Sequence, residues 1–213
     1  MLIIDKGVCA PKGFKANGIH AGIRKNKAKK DLAIIVSDTP CAAASVYTTN
    51  LVKGAPIYVT KDNLKNGIAQ AIICNSGNAN TCNANGIEIA KDMCSLTQAH
   101  TGINATDVIV ASTGVIGQPL SIEPIKAGMQ ELIEGLGDKS ANAAEAIMTT
   151  DTVSKEIAVS FMLEGVECKI GGIAKGSGMI HPDMATMLVF LTTDCAITPP
   201  LLQEAISEDV KTS

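Results

Sequence analysis

Apolar residues in this chain gather into short runs, each of which stops at a cluster of Gly, Asn, Ser or Thr. Asp31–Ser37, Ala69–Cys74, Asp107–Ser112 and the run from Met187 to Leu191 have strand length and little internal polarity. Runs of that kind predict strands buried on both faces. Further strands are expected at Cys41–Tyr47 and Ile57–Thr60, and a hairpin about Glu164-Gly165 joins Lys155–Leu163 to Val166–Ile173. Helical spacing takes over in Gly86–His100, where Ile87, Ala90, Cys94 and Leu96 or Thr97 share one face. It recurs in Ile122–Leu136, with Pro124 in the first turn, in Ala-rich Ser140–Met148, and from Leu201 to Val210. A shorter helix is expected at Lys61–Asn66. Gly7–Lys30 reads as an open, turn-rich segment. Strands alternating with helices, without a repeat, predict an α/β class with sheet sandwiched by helices.

Composition narrows the chemistry. The chain has 213 residues, enough for one large domain or two small ones. A net charge of -3 and an aromatic content of 2% with no Trp provide neither a basic field nor stacking platforms, so no nucleic acid is expected as a partner. The cluster Arg24–Lys30 fits a solvated turn better than a phosphate patch. Seven Cys occur without CxxC pairs or His at zinc spacing. An odd count in a chain of this size fits free thiols in a reducing compartment, and no metal site is expected. No run reaches the roughly 18 apolar residues of a membrane span, and Met1-Leu-Ile-Ile is too short for a signal peptide. The expectation is a cytoplasmic protein with no membrane partner.

Candidate chemistry sits where strands end. Asn75–Thr81 (Asn-Ser-Gly-Asn-Ala-Asn-Thr) directly follows a buried strand, and it is either a site loop or plain turn chemistry. Thr113-Gly114-Val115-Ile116-Gly117 follows the next strand. Its unpaired N–H groups suit an oxyanion hole, and an ordinary strand-to-helix loop fits it equally. Thr149-Thr150-Asp151-Thr152 at a helix end is a turn or a set of hydroxyl ligands. Lys175 lies in a small-residue loop that runs through His181-Pro182-Asp183 to Ala185-Thr186. A Thr after Ala, heading a buried strand, is where a self-cleaving enzyme would create an N-terminal nucleophile. The freed amine would then serve as base for its own hydroxyl.

Five of these stretches together resemble the ornithine acetyltransferase (glutamate N-acetyltransferase) family of arginine biosynthesis. They are Gly13–Gly18, Asn75–Asn80, Ser112–Gly117, Ile147–Thr152, and Ala174–Ile180 with Met184–Leu188. The resemblance implies a four-layer αββα sandwich formed by a precursor that cuts itself into α and β chains. Residues 1–185 would form the α-chain region and 186–213 the start of the β chain. Ala185 and Thr186 would flank the cut, with Thr186 as nucleophile and as a substrate contact. Thr113 and Gly114 match the oxyanion-hole pair. Thr149 and Lys175 match the substrate-binding Thr and Lys, with Thr150 and Thr152 as alternatives to Thr149. The implied reaction moves acetyl from N2-acetylornithine to glutamate through an acetyl-Thr186 ester in a heterotetramer of two α and two β chains. No cofactor is implied. Acetyl-CoA is a second donor in some members, and the sequence leaves open whether it is one here.

Family members run to about twice this length. The Glu and the C-terminal Asn and Ser or Thr ligands that would complete the site have no counterpart here, so either a truncated chain or one part of a larger assembly is expected, lacking half the site by itself. Asp183 stands where many relatives carry Asn. Two other readings compete. One is a related self-cleaving amidohydrolase or aminopeptidase that passes the acyl group to water. The other is an inactive, uncut chain.

Overall fold

The computed structural model describes residues 1–178 and 187–212. Eight strands and five α-helices run in the order β1 (Leu2–Ile4), β2 (Phe14–Ile19), β3 (Leu32–Ala42), α1 (Ala55–Asn63), β4 (Ile68–Asn75), α2 (Gly86–Thr101), β5 (Val108–Ser112), α3 (Glu123–Glu134), α4 (Ser140–Ala146), β6 (Lys155–Leu163), β7 (Val166–Lys175), β8 (Leu188–Thr193) and α5 (Pro199–Asp209). The strands form two four-stranded sheets, β1-β6-β7-β8 and β2-β3-β4-β5. The first is antiparallel throughout, and the second ends in a parallel β4/β5 pair.

Strand β3 shows why its apolar run is continuous. Successive side chains point to opposite faces, and both faces are covered. Leu32 and Ile34 join Ala71, Ile73, Val108 and Val110 beneath Ile89 and Met93 of α2 and Ile125, Met129 and Leu132 of α3. Ala33 and Ile35 turn the other way and meet Ile173 of β7, Phe190 of β8 and the Ala-rich face of α4. The architecture is thus α/β, with helices on one sheet and a second sheet stacked on its other face. The far face of the β1-β6-β7-β8 sheet carries exposed Ile3, Ile157, Val189 and Leu191. Among the described residues no helix covers that face. No described helix is long and apolar enough to cross a membrane.

Three expectations change. Residues 57–60 lie in helix α1, which starts at Ala55-Pro56. Proline is pre-set for a first helical turn, and the buried Thr60 hydroxyl donates to the Val110 carbonyl at 2.8 Å, docking the helix on β5. The helical stretch expected at Lys61–Asn66 is present in two parts, Lys61–Asn63 as the end of α1 and Leu64–Asn66 as a single 3-10 turn. Within the supposed open segment Gly7–Lys30 lies edge strand β2. Its Asn17, read as a turn residue, is 3% exposed and donates to the Leu132 carbonyl at 2.9 Å. Strand β3 runs on to Ala42 through an irregularity between Val36 and Cys41, and residues 43–50 form no strand.

The sheets meet where small residues let backbones touch. A Cβ on Gly171 of β7 would overlap the carbonyl of Gly7. Backbone cannot yield as a flexible side chain can, so Gly171→Ala is expected to cost about 2–3 kcal/mol, read as a lowered urea midpoint with an unchanged slope.

Candidate functional site

Strand β4 ends at Asn75 and β5 at Ser112, side by side in parallel register. The loops that leave them are stitched together by the Asn-rich stretch. The Asn75 side chain donates to the Asn78 carbonyl at 2.9 Å, and its Oδ1 accepts from the Ser112 hydroxyl at 2.6 Å. The Asn78 amide donates to the carbonyls of Gln118 (3.0 Å) and Pro119 (3.2 Å). Asn75, Ser76 and Asn80 are fully buried. These amides satisfy backbone groups within the protein, so the stretch braces the neighbouring loop.

The braced loop carries Thr113 and Gly114. The Thr113 N–H is held by the Asn75 carbonyl at 3.0 Å and the Val115 N–H by the Gly77 carbonyl at 3.3 Å. Gly114 sits at φ 132°, and a Cβ there would lie 2.5 Å from Asn78 N. Only glycine permits both that conformation and that approach.

Lys175, the last residue of β7, points between the sheets and is 1% exposed. Its Nζ donates to the Thr113 hydroxyl at 2.8 Å. An ammonium has donors only, so Thr113 uses a lone pair on Lys175 and keeps its O–H to donate elsewhere. Burial lowers the Lys175 pKa, opposed by the charge of Asp151 and by Cys74. Burial pushes the Cys74 thiol up to about 12, so it stays neutral. Among the described residues, the anion that faces Lys175 is therefore Asp151.

Asp151 is 3% exposed. Its Oδ1 accepts from Lys155 Nζ at 2.6 Å and from the Gly176 N–H at 2.9 Å, and its Oδ2 from the Thr149 N–H at 3.2 Å. Burial alone would raise this carboxyl, but Lys155 and the two N–H donors together outweigh it and bring the pKa to about 2. The Thr150 and Ser177 hydroxyls meet at 3.1 Å across the same junction. Arg24 closes it from behind. Its Nη2 donates to the Met148 carbonyl, its Nε is buried without a partner among the described residues, and its stem packs on Gly77.

Thr113, Gly114, Lys175 and the Thr149 turn thus converge. Ala185 and Thr186 lie outside the described residues. Description resumes at Met187, whose side chain lies near Gly176, and Leu188 pairs with Lys175. A separate groove of about 430 Å³ along β2, lined by Lys27, Lys29, Lys30 and Lys139, includes none of these residues. Sequence reading missed Arg24, which it assigned to a solvated turn, and the clamping roles of Asp151 and Lys155. An acidic residue directly after two Thr at a helix end, four residues before a Lys, was the available signal.

The sequence model of the ArgJ family matches residues 15–213. The chain belongs to the ArgJ family. It is 48% identical over 207 residues to the arginine biosynthesis bifunctional protein ArgJ of Bacillus cereus, covering 96% of this chain and 50% of that protein. It therefore spans about half the length of the curated relatives it matches. A crystal structure of the Bacillus halodurans ArgJ superposes with a TM-score of 0.80 at 40% identity, covering 86% of this chain and 97% of that one. The Mycobacterium tuberculosis ornithine acetyltransferase, solved with ornithine, gives 0.78 at 35% identity, covering 85% and 97%.

Two outcomes follow from this geometry. Gly114→Ala is expected to lower stability by about 1–3 kcal/mol through backbone strain and collision, seen in the urea midpoint. The folded-state pKa of Asp151 lies below the ordinary carboxyl value of 3.8, so its stabilisation is complete above that value and is lost as pH falls toward about 2. Asp151→Asn is expected to flatten stability against pH in that window, measured by denaturant titration at successive pH values.

Proposed function

We propose that this ArgJ chain forms part of an acetyltransferase of arginine biosynthesis that moves acetyl from N2-acetylornithine to glutamate. The observation that carries the reading is the 2.8 Å contact between buried Lys175 and Thr113, which joins a fixed cation to a hydroxyl free to donate. In the precursor, Thr186 Oγ attacks the Ala185 carbonyl, and the Thr113 hydroxyl and the Gly114 N–H stabilise the oxyanion. The peptide C–N bond breaks as the ester forms, and water hydrolyses the ester to leave Ala185 as a carboxylate and Thr186 as a free amine.

That amine, with an unperturbed pKa of about 7.7 to 8, takes the Oγ proton when Thr186 attacks the acetyl carbonyl of N2-acetylornithine. Ornithine leaves with the proton, and the glutamate amine then attacks the acetyl-Thr186 ester; the acetyl C–Oγ bond breaks, N-acetylglutamate leaves, and the proton lost by the glutamate amine returns through the Thr186 amine to Oγ. Lys175 neutralises the carboxylate common to both amino acids, and Thr149 binds beside it. Thr186 is covalently joined to Met187, and the contact of Met187 with Gly176 supports a nucleophile at this site. By the same reading, residues 1–185 are the α-chain region and 186–213 begin the β chain, in an assembly of two α and two β chains.

Intact-mass analysis of the full-length protein tests this. Two species that sum to the precursor plus one water, with Thr186 as a new N-terminus, are expected for the wild type, and a single species for Thr186→Ala. Acetyl transfer to glutamate is then assayed from N2-acetylornithine, with acetyl-CoA as a second arm. Full transfer by Thr186→Ala would overturn the assignment, and release of free acetate without acetylglutamate would favour the hydrolase.

A further inference from the structure

We propose that Asp151 is a positioning residue: its carboxylate clamps the Thr149 turn to the end of β7, so that Thr149 and Lys175 meet a substrate carboxylate as one fixed pair. The inference rests on the reading of Thr149 and Lys175 as the substrate-binding pair, and deepens it. Its basis is the bonding of one buried group. Two of its three donors, the N–H groups of Thr149 and Gly176, belong to or directly follow those two residues. They lie on segments 27 positions apart in sequence, with the whole β6–β7 hairpin between them. A single carboxylate therefore fixes the distance between the Thr149 turn and the strand end. Displacement of about 1 Å at such a pair is enough to cost a large factor in rate.

The clamp has a second effect through charge. Lys175 is faced by the Thr113 hydroxyl after β5, the neutral Cys74 thiol on β4, Arg24 after β2, Lys155 at the start of β6, and Asp151 after α4. Arg24 and Lys155 oppose the ammonium, and among the described residues Asp151 is the anion that favours it. A lysine can pair with a substrate carboxylate only while it is charged. Removing Asp151 should thus let Lys175 lose its proton at lower pH, and removing Lys155 should let it keep the proton to higher pH. Opposite displacements from two variants on one ion pair are not what a merely structural role would produce.

The experiment compares wild type, Asp151→Asn and Lys155→Met in the full-length protein. KM for N2-acetylornithine is followed against pH, and the Lys175 ammonium is followed by NMR in 15N-lysine-labelled protein, assigned with Lys175→Met. Asp151→Asn is expected to raise KM roughly ten- to hundredfold, with a smaller change in kcat, and to move the alkaline rise in KM to lower pH. Lys155→Met is expected to move it higher. If Asp151→Asn does not accumulate as folded protein, the sign of the Lys155→Met shift decides. An alkaline limb and a Lys175 titration that stay in place, or move together in one direction, overturn the proposal. Absence of acetyl transfer in the wild type would instead overturn the activity reading, and the NMR titration would still test the clamp.

Discussion

Everything near the site answers to one constraint: an ammonium has been taken out of water between two β-sheets. Lys175 is 1% exposed, and an isolated charge in such a place is costly enough that it is paired or gives up its proton. Each neighbour reduces that cost differently. Asp151 supplies the opposing charge and the Thr113 hydroxyl supplies a lone pair, while the Cys74 thiol is held neutral by the same burial and adds no second anion. Asp151 in turn is stabilised by Lys155 and two backbone N–H groups, so the buried pair is satisfied on both sides.

Close backbone approach lets the two sheets bring these groups together. The side chains that meet between the sheets are mostly small: Ala16, Ala33, Ala143, Ala144 and Ala146 with two Cys from the strands and the first turn. A core of small residues closes the space between layers, and in a chain with few aromatics that is how native packing density is reached. The same economy appears at the loops. Gly114 lies against Gly77 and Asn78, and Gly171 against Gly7, so the Thr113 loop and β7 are held by contacts that no side chain could enter.

The central strands could be read directly, because β3, β4 and β5 are buried on both faces and carry uninterrupted apolar runs. The α2, α3 and α4 helices were legible for the related reason that one face of each is apolar and the other is not. The failures have one cause, which is tertiary context overriding local pattern. Ile57-Tyr58-Val59 has strand composition, but Pro56 starts a helix and Thr60 anchors it to Val110. Asn17-Gly18 has turn composition, but the helix α3 carbonyl at Leu132 satisfies the amide inside a strand. At the site, Thr113, Gly114, Thr149 and Lys175 were found through the resemblance of whole motifs. Asp151 stood inside one of those motifs, yet its role depends on the Gly176 N–H, a partner that only the folded hairpin brings to it. Arg24 was lost among its basic neighbours because sequence does not say which residue of a charged cluster turns inward.

Charge at the site also runs against the charge of the chain. The protein carries -3 overall, yet Lys175, Lys155 and Arg24 share their surroundings with one buried carboxylate, Asp151, and a second acidic neighbour of Arg24, Asp31. The Asp31 carboxylate is already engaged by the N–H groups of Ala21 (2.6 Å) and Arg24 (2.8 Å) and lies 3.4 Å from His20 Nδ1. Among the described residues, three cations face two carboxylates at this junction, a local excess of one positive charge. In a partly enclosed, low-dielectric setting that excess acts over a longer range than it would on an open surface. A small anionic ligand therefore meets a field of opposite sign at this junction, although the chain as a whole is acidic. The amino-acid carboxylates of the proposed reaction have that charge, and the hydrogen-bonded clamp keeps the excess where they would bind.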